Sequence, residues 1–154
     1  MKIASIEPII LRVPLQERTF YSSQSKFPGR HSLLIKITTE DGIVGWGEGG
    51  QYGPPGPVAT CIENVLSPLL VGHSACTPVA TSERLYAYSR DFGQSGTYIE
   101  AISAIDIALW DIWGKILGQP VHALMGGAFR SKVIAYATGC YYPDQPWSLP
   151  EMLR

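Results

Sequence analysis

The segment from Tyr98 to Leu117 limits most strongly what this chain can fold into, because both of its ends are marked and nothing inside it breaks a helix. Thr97 and Glu100 form a T-x-x-E pattern, a capping box in which each side chain can satisfy a backbone N–H at the helix start. Gly118 stands where a helix takes a left-handed residue at its end, and Pro120 forbids continuation. Ile102, Ile105, Leu109, Ile112 and Ile116 recur at helical spacing and make one apolar stripe. Ala104, Ile107 and Trp110 fall outside that stripe, so the helix is expected to lie between two layers.

The residues before this helix read as a small sheet. Lys2 to Val13 carries Ile6, Ile9, Ile10, Leu11 and Val13 in loose alternation with polar residues and predicts a strand broken at Pro14. Leu15 to Arg30 is polar with interspersed aromatics and a Pro28-Gly29 pair, which reads as a long loop. His31 to Thr39 and Ile43 to Glu48 are β-rich runs joined around Glu40-Asp41-Gly42, and Asp-Gly predicts a hairpin through a primed turn. A three-stranded antiparallel sheet follows from these runs. After a Gly- and Pro-dense loop from Gly49 to Pro57, helices are predicted over Val58 to Leu70 and from Thr77-Pro78 to Tyr88.

Beyond Gly126-Gly127, Lys132 to Thr138 reads as a new strand. Ser148 and Glu151 form a second capping box, but the sequence ends at Arg154. A single turn of helix does not hold itself in water, so either a partner supports it or the chain is a fragment.

Composition removes several classes of function. The 154 residues carry a net charge of −1, which gives neither nucleic acid nor an acidic membrane a basic field to bind. No apolar run reaches transmembrane length, and Glu7-Pro8 sits where a signal peptide needs an apolar core, so the cytoplasm is the expected compartment. Hydrophobic residues make up 45% and charged residues 16%, an apolar surplus that suggests a face covered by something else. Cys61, Cys76 and Cys140 are widely spaced with no C-x-x-C pair, which favours reduced thiols over disulfides or zinc.

Several motifs invite chemistry and fail on context. Gly45-Trp46-Gly47-Glu48-Gly49-Gly50 satisfies G-x-G-x-x-G, but a dinucleotide site needs a helix opening immediately after it, and Gln51-Tyr52-Gly53-Pro54-Pro55 cannot supply one. Gly93-Gln94-Ser95-Gly96 lacks the full nucleophile-elbow pattern and follows no strand. Asp106 and Asp111 are separated around the helix rather than paired. Asp111 suits an ion pair with Lys115 one turn on, and Asp106 a hydrogen-bonded structural role. His31, His73 and His122 have no companions at ligand spacing and read as structural or surface residues.

The stretch AISAIDIALWDIWGKILGQPVHALMGG, Ala101 to Gly127, resembles the first signature of the mandelate racemase/muconate lactonizing branch of the enolase superfamily. Ala101, Ser103, Ala104, Ile105, Asp106, Ala108, Leu109, Asp111, Ile112, Gly114, Lys115, Pro120, Val121, Leu124 and Gly126 all fall where that pattern wants them. The hairpin ending in Gly45-Trp46-Gly47-Glu48 is also similar to that family's N-terminal domain. The resemblance implies an α+β capping domain, with a three-stranded antiparallel sheet and a helical bundle, leading into a (β/α)8 barrel. Residues 1–131 would be the cap and residues 132–154 the start of the barrel, with Val133 to Gly139 as its first strand and Ser148 opening its first helix. A barrel needs about 250 residues, so most of it is missing, and with it the family's lysines, acidic metal ligands and later bases. No catalytic or metal residue is therefore assigned to this chain, which alone is expected to be inactive.

For the complete protein, the resemblance implies a Mg2+ enzyme that removes the α-proton of a small carboxylate, with charge stabilised at the carboxylate oxygens. An acid-sugar dehydratase or a racemase is the favoured reading, with a muconate-type cycloisomerase or an epimerase as the alternative. The resemblance also implies a symmetric homo-oligomer. Within the chain, the family's two lid loops map to Leu15 to Arg30 and Gly49 to Gly56. Phe20, Tyr21, Lys26 and Phe27 on the first, and Gln51 and Tyr52 on the second, are the candidate substrate contacts. A reading from another class is a non-catalytic α+β binding or assembly module.

Overall fold

Alternation in the sequence becomes alternation in the sheet. In the computed structural model, which describes residues 1–15, 20–21, 26–27, 29–50, 53–136 and 142–143, the three long strands are β1 (Ile3–Pro14), β4 (Gly29–Thr39) and β5 (Val44–Gly49). Between β1 and β4 come two short strands, β2 (Phe20–Tyr21) and β3 (Lys26–Phe27). Along β4, Leu33, Ile35 and Ile37 are fully buried while the residues between them are not, the period of two that puts one face on the core. The order is β1-β4-β5. β4 and β5 are antiparallel, with Ile35 opposite Gly47 and Ile37 opposite Gly45. β1 also runs antiparallel to β4: the Glu40 N–H donates to the Lys2 carbonyl at 2.9 Å, and Gly29 faces the Val13 carbonyl at the other end.

The β4–β5 connection falls on the expected Glu40-Asp41-Gly42, but its turn is not the primed turn that Asp-Gly predicts. Thr39 N–H bonds to the Ile43 carbonyl at 2.9 Å, and Gly42 N–H bonds to the Thr39 carbonyl at 2.9 Å, so the loop is the three residues Glu40-Asp41-Gly42. Only the last of them needs a positive φ, and Gly42 supplies it at 82°. The Thr39 hydroxyl then accepts the Ile43 N–H at 3.0 Å, which lets a threonine that is 2% exposed close the hairpin without a lost hydrogen bond.

The predicted helix over Val58 to Leu70 forms in three pieces rather than one. α1 (Gly56–Cys61) passes into a single wide π-helical turn, Ile62–Leu66, and then a tight 3-10 turn, Ser67–Leu69. The cause is Pro68, which has no N–H and whose ring would meet the carbonyl one turn back. The Ser67 N–H reaches back to the Ile62 carbonyl across the wide turn. Burial keeps its helical spacing through the change, with Val58, Ile62, Leu66 and Leu70 all buried.

α2 (Pro78–Ser89) follows, with proline in its first turn as expected. α3 (Thr97–Leu117) matches the predicted helix and ends on Gly118 in the left-handed conformation, its N–H bonded to the Gly114 carbonyl. Its start does not use the predicted capping box. Gly96 is the cap residue, with φ 62° and ψ −134°, and no side chain caps the helix. A glycine is free to take that conformation, which sets Thr97 inside the helix rather than at the cap position. α3 lies between β5 on one side and α1 and α2 on the other, as its apolar faces require. Ala104 is buried with the stripe, whereas Ile107 is 47% exposed. Tyr88, Phe92 and Tyr98 form edge-to-face contacts with ring centroids 5.5 and 5.2 Å apart, which ties the end of α2 to the start of α3.

α4 (Val121–Leu124) is a single turn after Pro120. Residues 132–136 are not a strand, contrary to the expectation for Lys132 to Thr138, and Val133, Ile134 and Tyr136 are 78%, 96% and 89% exposed. A strand needs a neighbouring strand to satisfy its backbone, and no strand among the described residues pairs with these. Residues 137 and 138, Cys140, and the helix predicted from Ser148 lie outside the described residues. A further short strand, β6 (Tyr142–Pro143), completes a second small sheet with order β3-β2-β6. The chain divides into two compact units. One contains Met1–Leu11 and Ser32–Ala128, with the core described above; the other contains Arg12–His31 and Phe129–Arg154, with the small sheet.

Candidate functional site

Four of the six candidate contact residues are brought together by backbone pairing. Leu15 to Arg30 reads as a loop in the sequence, but its aromatic residues favour extended backbone, and two short strands form within it. β2 pairs antiparallel with β3, Phe20 opposite Phe27 and Tyr21 opposite Lys26. On its other edge β2 pairs antiparallel with β6, Phe20 opposite Pro143 and Tyr21 opposite Tyr142. β4 also begins earlier than predicted, at Gly29, where a Cβ would lie 3.0 Å from the Val13 carbonyl oxygen. Gln51 and Tyr52 lie outside the described residues.

The remaining motifs resolve into structure. Gly45 and Gly47 face α3, where a Cβ on Gly45 would lie 2.3 Å from the Ala108 carbonyl oxygen and one on Gly47 would lie 2.0 Å from that of Ala104. The glycine pattern is therefore a packing seam between strand and helix. No helix opens at Gly50; the next begins at Gly56. Asp106 accepts a 2.5 Å hydrogen bond from the Ser82 hydroxyl, the structural role expected of it. Asp111 and Lys115 form the expected ion pair at 2.6 Å. Two of their partners were not foreseen. The Trp46 N–H donates to Asp111 Oδ2 at 2.8 Å, and Lys115 Nζ donates to the Val44 carbonyl at 2.7 Å. These are long-range contacts that no local spacing announces.

His73 Nδ1 lies 3.5 Å from the Arg84 guanidinium, which also donates to the Leu69 carbonyl at 3.2 Å, a structural setting. His122 lies in the single turn α4. Cys61 and Cys76 are free thiols, and burial pushes the Cys61 thiol above its ordinary value. Among the described residues no group of three or more His, Cys, Asp or Glu side chains could hold a metal ion. Hard divalent cations need several oxygen ligands, so these residues do not fit a Mg2+ site. No helix among the described residues is long and apolar enough to cross a membrane.

Comparison with known proteins covers most of the chain. The family model for the mandelate racemase/muconate lactonizing enzyme N-terminal domain matches residues 6–126. A D-galactarolactone cycloisomerase of Agrobacterium fabrum is 39% identical over 144 residues, 94% of this chain and 37% of that protein. A D-galactonate dehydratase family member of Streptomyces bingchenggensis is 39% identical over 130 residues, 82% of this chain and 29% of its own length. The muconate lactonizing enzyme of Pseudomonas fluorescens, solved with muconolactone, superposes with a TM-score of 0.71 at 32% identity, over 84% of this chain and 35% of that one. A mandelate racemase/muconate lactonizing protein of Paracoccus denitrificans, solved with magnesium, gives a TM-score of 0.64 at 31% identity, over 84% and 31% of the two chains. The chain thus spans about a third of the length of the relatives it matches. The match to residues 6–126 joins the observed sheet, helices and glycine seam into one assignment: the chain belongs to the mandelate racemase/muconate lactonizing enzyme branch of the enolase superfamily and carries its N-terminal domain.

Proposed function

We propose that this chain is the capping part of a Mg2+-dependent enzyme that abstracts the α-proton of a small carboxylate, with an acid-sugar dehydratase or racemase as the preferred activity. The observation that carries the reading is the family match across residues 6–126 together with relatives named as a sugar-acid dehydratase family member and a sugar-lactone cycloisomerase. On this reading residues 1–131 are the cap, residues 132–154 begin the barrel, and the barrel supplies the metal ligands and the bases. The setting is cytoplasmic and the assembly a symmetric homo-oligomer.

The cap's own contribution is substrate enclosure. Phe20, Tyr21, Lys26 and Phe27, with Gln51 and Tyr52, are proposed as lid contacts. The two rungs Phe20–Phe27 and Tyr21–Lys26 supply the residue types such a lid uses: aromatic area to exclude water, and a phenol and an ammonium to bind hydroxyl and carboxylate oxygens. Reading the same family match toward the cycloisomerase relative makes cycloisomerisation or epimerisation the second choice. A non-catalytic α+β binding module is the reading from another class. Incubating the full-length protein with Mg2+ and a panel of sugar acids in deuterated water separates these. Exchange of an α-proton supports an enzyme, and its product identifies which one. No exchange with any acid would leave only the binding module.

A further inference from the structure

Among the described residues β5 is an edge strand, and an edge offers a row of backbone groups to any strand that arrives. The hairpin fixes which groups those are. Thr39 and Ile43 are hydrogen-bonded to each other, so Gly45 and Gly47, in register with Ile37 and Ile35, turn their N–H and C=O toward β4. Val44 and Trp46 turn theirs outward. Two of those outward groups are the ones held by α3: Lys115 Nζ donates to the Val44 carbonyl at 2.7 Å, and Asp111 Oδ2 accepts the Trp46 N–H at 2.8 Å.

The pairing has a specific geometry. A carbonyl at one residue and an N–H two residues on are what a single residue of an added parallel strand would bond, donating to the first and accepting from the second. The ammonium and carboxylate perform those two roles, and their 2.6 Å contact joins them as a backbone would join its own N–H and C=O. An antiparallel newcomer would need both groups of Val44 or both of Trp46, and one of each is already taken. The opposite edge is guarded by backbone: Ile3 exchanges bonds of 2.9 and 2.8 Å with His73 and Gly72, and Lys2 bridges Ser74.

We propose that the Asp111–Lys115 pair is an edge plug, an imitation of one strand residue that keeps the β5 edge of a second copy from adding to this one. Its job is to prevent association, and it explains why both charges stand on the helix face nearest β5.

The test is made on the whole chain with Asp111→Ala and Lys115→Met. Amide hydrogen exchange is read at Trp46 against Gly45 and Gly47, whose N–H groups face β4, and self-association by sedimentation over a range of concentrations. At a dilution where Asp111→Ala is dissociated, its Trp46 exchange rises about tenfold or more, as loss of a hydrogen bond to a charged acceptor requires, while Gly45 and Gly47 keep their rates. Both variants form a heavier species that dissociates on dilution and keeps the far-UV circular dichroism of the parent. If Asp111→Ala does not fold, Lys115→Met carries the test, since it frees the Val44 carbonyl and keeps the apolar stem. Exchange that rises equally at all three amides, or variants that associate no more than the parent, would overturn the proposal.

Discussion

A Cβ on Gly47 would lie 2.0 Å from the carbonyl oxygen of Ala104, closer than any real side chain approaches a backbone. Two residues earlier, Gly45 meets Ala108 in the same way. Strand and helix run in opposite directions here, two strand residues matching one helical turn. The seam sets how closely α3 lies on the sheet, and so where the hairpin stands.

Gly47→Ala is therefore expected to destabilise the chain by about 2–3 kcal/mol, since neither backbone can give way. Gly50→Ala, where nothing lies within 4 Å, should change stability by less than about 0.5 kcal/mol. Urea unfolding of the two variants measures the contrast. Equal small effects would mean that the helix can retreat from the strand.

Two apolar residues of α3 should behave oppositely. Leu109 is fully buried, so Leu109→Ala is expected to cost about 2–5 kcal/mol through lost burial and a cavity. Ile107 is 47% exposed, and Ile107→Ala should cost well under 1 kcal/mol, a small fraction of a full side-chain burial. Thermal unfolding of each variant checks the assignment of helix faces. A comparable loss at Ile107 would mean that a further layer covers it.

The two described thiols should differ in reactivity. Cys61 is 6% exposed and its thiol is raised above 9.0 by burial, so little of the reactive thiolate forms near neutrality. Cys76 should react with iodoacetamide first, with Cys61 labelled only as the chain unfolds; peptide mass spectrometry reads both. The sign for stability follows. The unfolded thiol loses its proton near 9.0 while the folded one keeps it, so the group's contribution is complete below that pH and declines as pH rises past it. A Cys61→Ala variant should lose part of this alkaline sensitivity.

If the β2–β3 ladder forms part of a lid, Lys26→Ala in the full-length protein should raise KM for an acid substrate by about tenfold, the worth of one charge-assisted contact, with kcat changed less. Tyr21→Phe should act in the same direction and more weakly. Unaltered KM in both would remove this ladder from the substrate site.

What the sequence disclosed and what it withheld divide along the range of the interaction. The three long strands, the hairpin position, the Pro78 start of α2 and the Gly118 end of α3 were legible because each depends on neighbours within a turn or a strand, whereas the strand read at Lys132 depends on a partner and does not form over 132–136. The Thr97–Glu100 capping box misled because Gly96 was free to take the cap position itself. Pro68 was in plain view, but whether a proline ends a helix or widens one turn depends on what the flanking residues bury; here Ile62 and Leu66 hold the segment on the core. The glycine seam had a signal that could have been read: Gly45 and Gly47 on one strand face, with Ala104 and Ala108 one helical turn apart to receive them. The bonds from Asp111 and Lys115 to β5 had none, since they join residues 65 and 71 positions apart. The candidate lid residues follow from family resemblance, and the pairing of Phe20, Tyr21, Lys26 and Phe27 as two rungs comes from the backbone alone.

The most direct test of the central claim is α-proton exchange, followed by proton NMR, with the full-length protein, Mg2+ and a series of aldonic and aldaric acids in deuterated water. The account predicts that at least one acid loses its α-proton signal, that removing the metal with a chelator stops the loss, and that residues 1–154 alone leave every signal unchanged. Full-length protein that exchanges no α-proton of any acid, with Mg2+ present, would contradict it.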